Sequence, residues 1–201
     1  MSEMCRSLAL FCGSSDGKDP KFCQLAEDFG RLCAQRGLTL YYGGAKLGLM
    51  RAAAEAALEE KGHVIGVMPE IFVDDVVVAN NISQMIWVKS MSERKQTLER
   101  LADAFVALPG SFGTMDELFE ILTDAQLGLH HKPVVILNAF GYYDPLLKQL
   151  EIFLNEGFLR PFHHGLLLVA ASPEEVFEKL EKYVYPNDQE WLDKHTRSGK
   201  N

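Results

Sequence analysis

Seven short runs of this chain are apolar on consecutive residues, and most are separated by segments with helical spacing. The runs are SLALFCG (7–13), LTLYYGG (38–44), HVIGVMP (63–69), QMIWVK (84–89), DAFVALPG (103–110), KPVVILN (132–138) and HGLLLVA (164–170). A strand apolar on both faces leaves no face for water, so the sheet it joins has to be covered on both sides. Strands of that kind alternating with helices predict a doubly wound, mainly parallel, Rossmann-like α/β fold.

The helical segments carry matching boundary signals. Asp19 and Pro20 read as an N-cap and first helical residue, with Gly37 closing the helix. Phe22, Leu25, Ala26, Phe29, Leu32 and Cys33 share one face of it. An Ala-rich helix over 47–62 is closed by Gly62, and one over 92–104 is opened by Ser92. Helices follow over 114–129, 144–157 and 172–184, the last with Ser172, Pro173 and Glu175 in capping-box order. Residues 1–185 are expected to form a single domain, with a polar, frayed tail over 186–201.

Composition narrows the function. A net charge of −8 and a pI near 5.3 argue against a nucleic-acid backbone or an anionic membrane as main partner. No signal peptide and no stretch approaching the ~18 apolar residues of a membrane span stand out. Cys5, Cys12, Cys23 and Cys33 lie near the start without a CxxC pair, which reads as reduced thiols in a cytoplasmic protein. The histidines, including the adjacent pairs His130–His131 and His163–His164, have no metal-site spacing. Trp87 and Phe105 read as sheet core, and Cys12 as a small core-edge residue.

In this fold ligands bind beyond the carboxyl ends of the strands. Three such ends carry small-residue loops: one with Gly13 and Ser14, one with Gly43 and Gly44, and one with Gly110, Ser111, Gly113 and Thr114. Their backbones and the helix N-termini that follow suit a phosphate group. Neither GxxxxGK[ST] nor a GxGxxG after the first strand is present, so ATP hydrolysis and nicotinamide chemistry lose support.

Acidic residues follow the third loop at once. Thr114 and Glu117 have capping-box spacing, in which Glu117 reaches back to the Thr114 N–H. In the other reading the loop holds a phosphate while Glu117, one turn into the helix, faces a sugar. Arg94 and Lys95 supply cations near a helix start, where the dipole opposes them. Arg94 either pairs on the surface with Glu93 or Glu99, or meets a carboxylate or phosphate at the sheet edge.

The motif PGSFGTMDE (109–117) resembles the PGGxGTxxE signature of the LONELY GUY family of cytokinin-activating phosphoribohydrolases, often labelled lysine decarboxylases. MSERK (91–95), beginning at Met91, resembles the second signature of that family, and CGSS, YGGAKLGLM and VIGVMP stand in the family's order. The resemblance covers about residues 7–185. It implies a Rossmann-like homodimer that hydrolyses the N-glycosidic bond of a cytokinin riboside 5′-monophosphate or AMP, without cofactor or metal. Arg94 and Glu117 match the family's catalytic pair. Ser111, Phe112, Gly113 and Thr114 match its nucleotide-phosphate loop, and Lys95 and Thr123 match further ligand-contacting positions. Ser111 departs from the usual Gly. If that position needs φ > 0, Ser is strained; if not, it adds a hydroxyl.

Glycosidic cleavage passes through an oxocarbenium-like state, which a carboxylate at the anomeric carbon stabilises while it orients or deprotonates water. Glu117 is the candidate. A guanidinium is no ordinary general acid, so Arg94 holds Glu117 ionised and aimed or clamps the phosphate. The leaving base takes its proton from Asp116 or water. Two competing readings are a non-catalytic nucleotide or molybdenum-cofactor carrier on the same fold, and a pyridoxal-phosphate decarboxylase. The second finds no lysine in a recognisable Schiff-base context.

Overall fold

In the computed structural model, residues 5–73 and 77–186 are described. The expected polar tail falls, from residue 187 on, outside them.

Among the described residues seven strands form one sheet in the order β4-β3-β2-β1-β5-β6-β7. They are β1 (Ser7–Phe11), β2 (Thr39–Tyr42), β3 (His63–Pro69), β4 (Gln84–Val88), β5 (Ala104–Ala107), β6 (Val134–Leu137) and β7 (Leu167–Ala170). Every pairing in the ladder is parallel, with Leu8 opposite both Leu40 and Ala104. The helices are α1 (Lys21–Gln35), α2 (Gly48–Glu59), α3 (Met91–Leu101), α4 (Phe112–Gln126), α5 (Asp144–Asn155), α6 (Pro161–His164) and α7 (Pro173–Glu181).

Side-chain alternation assigns the two faces. Leu8, Leu10, Leu40, Tyr42 and Val64 point to one side, under α1, α2 and α7. Ala9, Phe11, Val67, Phe105 and Ala107 point to the other, against Leu98 of α3 and Leu118 and Ile121 of α4. Both sets are buried, as strands without a polar face require. Phe105 and Cys12 lie in this core as expected. Trp87 does not: β4 is the sheet edge, and its indole is 37% exposed.

Helix ends follow local chemistry with two corrections. The Asp19 carboxylate accepts the Lys21 N–H at 3.0 Å, which caps α1. Helix α3 opens at Ser90, two residues before Ser92: the Ser90 hydroxyl accepts the Glu93 N–H at 3.1 Å and Glu93 takes the Lys89 N–H at 2.7 Å. That is a complete capping box. After α2 it is Lys61, not Gly62, that turns left-handed (φ 60°). Gly62 is needed for packing instead, because a Cβ there would lie 2.6 Å from the Ala34 Cβ of α1. The short α6 precedes β7 where the sequence reads as continuous strand. Among the described residues no helix is long and apolar enough to cross a membrane.

Candidate active site

β1 and β5 are neighbours, yet the chain leaves β1 for β2 on one side and β5 for β6 on the other. The crevice beyond their carboxyl ends is therefore the topological switch point, where this fold binds ligands. The three small-residue loops meet there. The Gly13 N–H donates to the Pro109 carbonyl at 3.0 Å, and the Leu49 N–H at the start of α2 donates to Gly13 O at 3.0 Å. A Cβ on Gly110 would lie 2.0 Å from Thr114 Oγ1, so only glycine fits between the β1 and β5 loops. Gly44 takes a left-handed conformation (φ 77°) and its carbonyl accepts the Ala79 N–H at 3.0 Å. Ser14 is exposed beside Gly13.

The carbonyls of the β5–α4 loop are all engaged. Leu108 O accepts the Tyr143 hydroxyl at 2.6 Å, Gly110 O accepts the Tyr142 hydroxyl at 2.6 Å, and Ser111 O accepts the Met115 N–H at 2.9 Å. The amides opening α4 precede the first intrahelical bond, so helix geometry leaves them as donors for a ligand. Ser111 has φ −117°, a conformation open to any residue, so serine in place of glycine is not strained. Gly113 is in the first turn of α4, and a Cβ there would meet nothing within 4 Å. The protein's own packing gives no reason for that glycine. Phe112 beside it is 93% exposed.

Helix α4 begins at Phe112, two residues before the start its sequence suggests, which removes Thr114 from the cap position. Glu117 therefore does not fold back on the Thr114 amide. Its Oε1 accepts from Arg94 Nη1 at 2.9 Å. Arg94 Nε donates to the Val67 carbonyl of β3 at 3.0 Å, and a Cβ on Gly43 would lie 2.0 Å from Nη2. The guanidinium is thus clamped by a strand carbonyl, a carboxylate and the absence of a side chain at 43. Neither Glu93 nor Glu99 holds it. Glu117 is 8% exposed, and burial pushes its pKa up to about 7, against the pull of Arg94. A carboxyl at that value exchanges a proton near neutrality. Burial, with the nearby Glu117 charge adding to it, also raises the Cys12 thiol, so Cys12 is not a reactive thiolate.

The remaining sequence candidates are spread around this pair. Lys95 binds the Asp116 carboxylate at 3.0 Å and also Glu120, and these partners hold its pKa up. Met91 is exposed at the first turn of α3. Thr123 is not beside Glu117. Its hydroxyl donates to Phe119 O at 2.7 Å, and it lines a separate apolar cavity of about 540 Å³ with Phe119, Leu150, Phe153, Phe158 and His164. His130 is structural: its Nε2 lies 2.9 Å from Ile121 O, its Nδ1 accepts the Lys132 N–H, and burial lowers its pKa. Among the described residues no group of three or more His, Cys, Asp or Glu is arranged to hold a metal ion. Sequence reasoning missed Tyr142, Tyr143 and the Val67 carbonyl. The two tyrosines stand in plain sight in GYYDP, but nothing in their spacing announces a hydrogen bond to a loop more than 30 residues away.

A family model described as "Possible lysine decarboxylase" matches residues 50–180. The chain is 39% identical over 180 residues to a probable cytokinin riboside 5′-monophosphate phosphoribohydrolase of rice, LOGL3, covering 90% of this chain and 85% of that protein. It is 38% identical over 183 residues to the Arabidopsis thaliana phosphoribohydrolase LOG5, covering 91% and 80%. Among solved structures it is similar to the molybdenum cofactor binding protein of Rippkaea orientalis, with a TM-score of 0.68 and 24% identity over 90% of this chain and 98% of that one. That likeness is one of fold. With 65% or more of its length matched by the family model and by relatives near 40% identity, the chain belongs to the family that holds the cytokinin riboside 5′-monophosphate phosphoribohydrolases, under the family description "Possible lysine decarboxylase".

Proposed function

We propose that this protein hydrolyses the N-glycosidic bond of nucleoside 5′-monophosphates, cytokinin riboside monophosphates or AMP, to free base and ribose 5-phosphate. One observation carries the reading beyond family membership. The buried Arg94–Glu117 pair, 2.9 Å apart, sits one turn beyond the amides that open α4. Phosphate on those amides leaves the sugar within reach of the carboxylate. Gly113 supports this, since its open space suits a ligand approaching the backbone.

Each group then has one task. The α4 amides and the hydroxyls of Ser111 and Thr114 hold the phosphate, with Gly13, Ser14, Gly43 and Gly44 shaping the crevice wall. Arg94 aims Glu117 and favours its ionised form. Glu117 takes a proton from water as water attacks C1′, and its charge stabilises the oxocarbenium-like state. The C1′–N bond breaks with its electron pair going to the base, which takes up a proton at a ring nitrogen. The proton lost by water and the one gained by the base balance.

A decarboxylase working through a lysine Schiff base needs a neutral amine. Lys95, the lysine at this site, is held charged by Asp116 and Glu120, which speaks against that activity. The same proposal includes a homodimer in the cytoplasm. Its supports are the apolar cavity beside α4 and the exposed Phe158 and Ile152 near it, a face suited to a second copy, and four free cysteines. The test is a base-release panel. Purified protein is given AMP, isopentenyladenosine monophosphate and other nucleoside monophosphates, with nucleosides and diphosphates as controls. Base released from monophosphates supports the reading. A ligand retained through purification with no base release favours a carrier and overturns it.

A further inference from the structure

The β6–α5 turn puts an aromatic side chain in the left-handed region. Phe140 has φ 60° and is followed by Gly141 at φ 70°. A left-handed aromatic residue is a real outlier. Phe140 gains little burial in return, being 61% exposed. The turn is nonetheless tightly specified. Asn138 Oδ1 accepts the Tyr143 N–H at 2.6 Å, and Asn138 Nδ2 donates to Asp144 at 2.8 Å. Phe140 and Tyr142 both meet Phe22 of α1 edge-on, at 6.0 and 5.7 Å. The two αL residues reverse the chain so that adjacent tyrosine hydroxyls land on Leu108 O and Gly110 O, each at 2.6 Å.

Peptide planarity makes this consequential. The carbonyl of one residue and the N–H of the next lie on opposite sides of one rigid trans plane. The bond from Gly13 to Pro109 O fixes the direction of the Gly110 N–H, and the bond from Tyr142 to Gly110 O fixes that of the Ser111 N–H. Gly110 is glycine because Thr114 leaves no room for a Cβ. Glycine also lets the following plane flip easily. The Tyr142 hydroxyl is the restraint on that plane.

We propose that Tyr142 is a positioning residue for the phosphate end of the substrate: its hydroxyl locks the Gly110–Ser111 peptide so that the Ser111 amide presents to the anion. The inference rests on the phosphate site proposed above. The Tyr142→Phe variant removes only the hydroxyl. The ring keeps its contacts with Phe22 and Tyr143, and because residue 142 is 41% exposed, water satisfies Gly110 O.

The experiment titrates wild type and Tyr142→Phe calorimetrically with ribose 5-phosphate and, separately, with adenine, and measures AMP turnover and the melting temperature of each free protein. The expected result is a fivefold to tenfold weaker ribose 5-phosphate affinity, the scale of one hydrogen bond. Adenine affinity is unchanged, KM for AMP rises by a similar factor, kcat stays within about twofold, and the melting temperature holds. Unchanged ribose 5-phosphate binding overturns the proposal. So does an equal loss for both ligands accompanied by a lower melting temperature, which marks a merely structural role. No ribose 5-phosphate binding by wild type overturns it as well. If wild type binds ribose 5-phosphate but releases no base from AMP, the activity proposed above fails while the positioning role is still read from affinity.

Discussion

Gly43→Ala acts on Glu117 through Arg94. Gly43 is outside the left-handed region, so alanine is acceptable to the backbone. Its Cβ, however, would lie 2.0 Å from Arg94 Nη2 and 3.0 Å from Met50 Sδ. Ordinary contact begins at 3.4 Å, so the guanidinium has to retreat by about 1.4 Å. It is held at 2.9 Å from Glu117 and 3.0 Å from Val67 O, and a shift of that size breaks at least the bond to Glu117. Two effects follow. A buried carboxylate loses its cation, so its pKa moves above its present value of about 7. The general base is also misaimed by more than 1 Å, a displacement worth about 100-fold in rate. Stability falls by about 2–3 kcal/mol, less than the ~3–5 expected for deleting one partner of a buried pair, because the displaced guanidinium stays close. The assay is base release from AMP against pH, with thermal melting alongside. The expected outcome is about 100-fold lower kcat at pH 7, partly recovered at higher pH. A Gly43→Ala protein with wild-type kcat and an unshifted profile would refute the claim that the clamped guanidinium aims and charges Glu117.

Other outcomes follow from the same geometry. In wild type, kcat/KM for AMP rises with pH through about 7, because the base form of Glu117 is the ionised one; a profile flat from pH 5 to 8 contradicts this. The stability term runs the opposite way. The folded state holds the Glu117 proton more tightly than the unfolded chain, so this contribution is fullest below the ordinary 4.5 and is lost as pH rises to about 7. Melting midpoints of wild type measured over that range should therefore show a decline that Glu117→Gln lacks. Gly113→Ala should fold as well as wild type or gain up to about 1 kcal/mol in helix propensity, yet bind AMP at least about tenfold more weakly by calorimetry. Equal affinity would mean that no ligand approaches Gly113. Ser111→Gly should weaken AMP affinity about fivefold to tenfold, the scale of the one hydroxyl contact assigned to the phosphate, and lower stability by a few tenths of a kcal/mol, since φ there is −117° and glycine loosens the unfolded chain; unchanged affinity would remove the Ser111 hydroxyl from the phosphate site.

The sheet was legible because residues such as Leu8, Ala9, Leu10 and Phe11 are apolar on both faces, and a parallel sheet under two helix layers is what such strands can form. Trp87 was misread because periodicity does not say which strand is the edge, and the indole is half-covered there. The cap of α3 was recoverable: Ser90 has Glu93 at capping-box spacing, whereas Ser92 has Lys95. Thr114 and Glu117 show the limit of such spacing. The same pattern is present, but Glu117 answers to Arg94, which a separate strand–helix unit delivers from 23 residues away. The Arg94 clamp on the Val67 carbonyl, and the tyrosine bonds to Leu108 and Gly110, involve backbone acceptors that every residue possesses. No side-chain pattern marks them.

The most direct measurement is a crystal structure of Glu117→Gln with AMP, in which binding outlasts turnover. The account predicts phosphate oxygens at hydrogen-bond distance, about 2.7–3.2 Å, from the amides opening α4, with the side chain of residue 117 directed at C1′. A phosphate bound elsewhere, or a residue 117 turned away from the sugar, contradicts it.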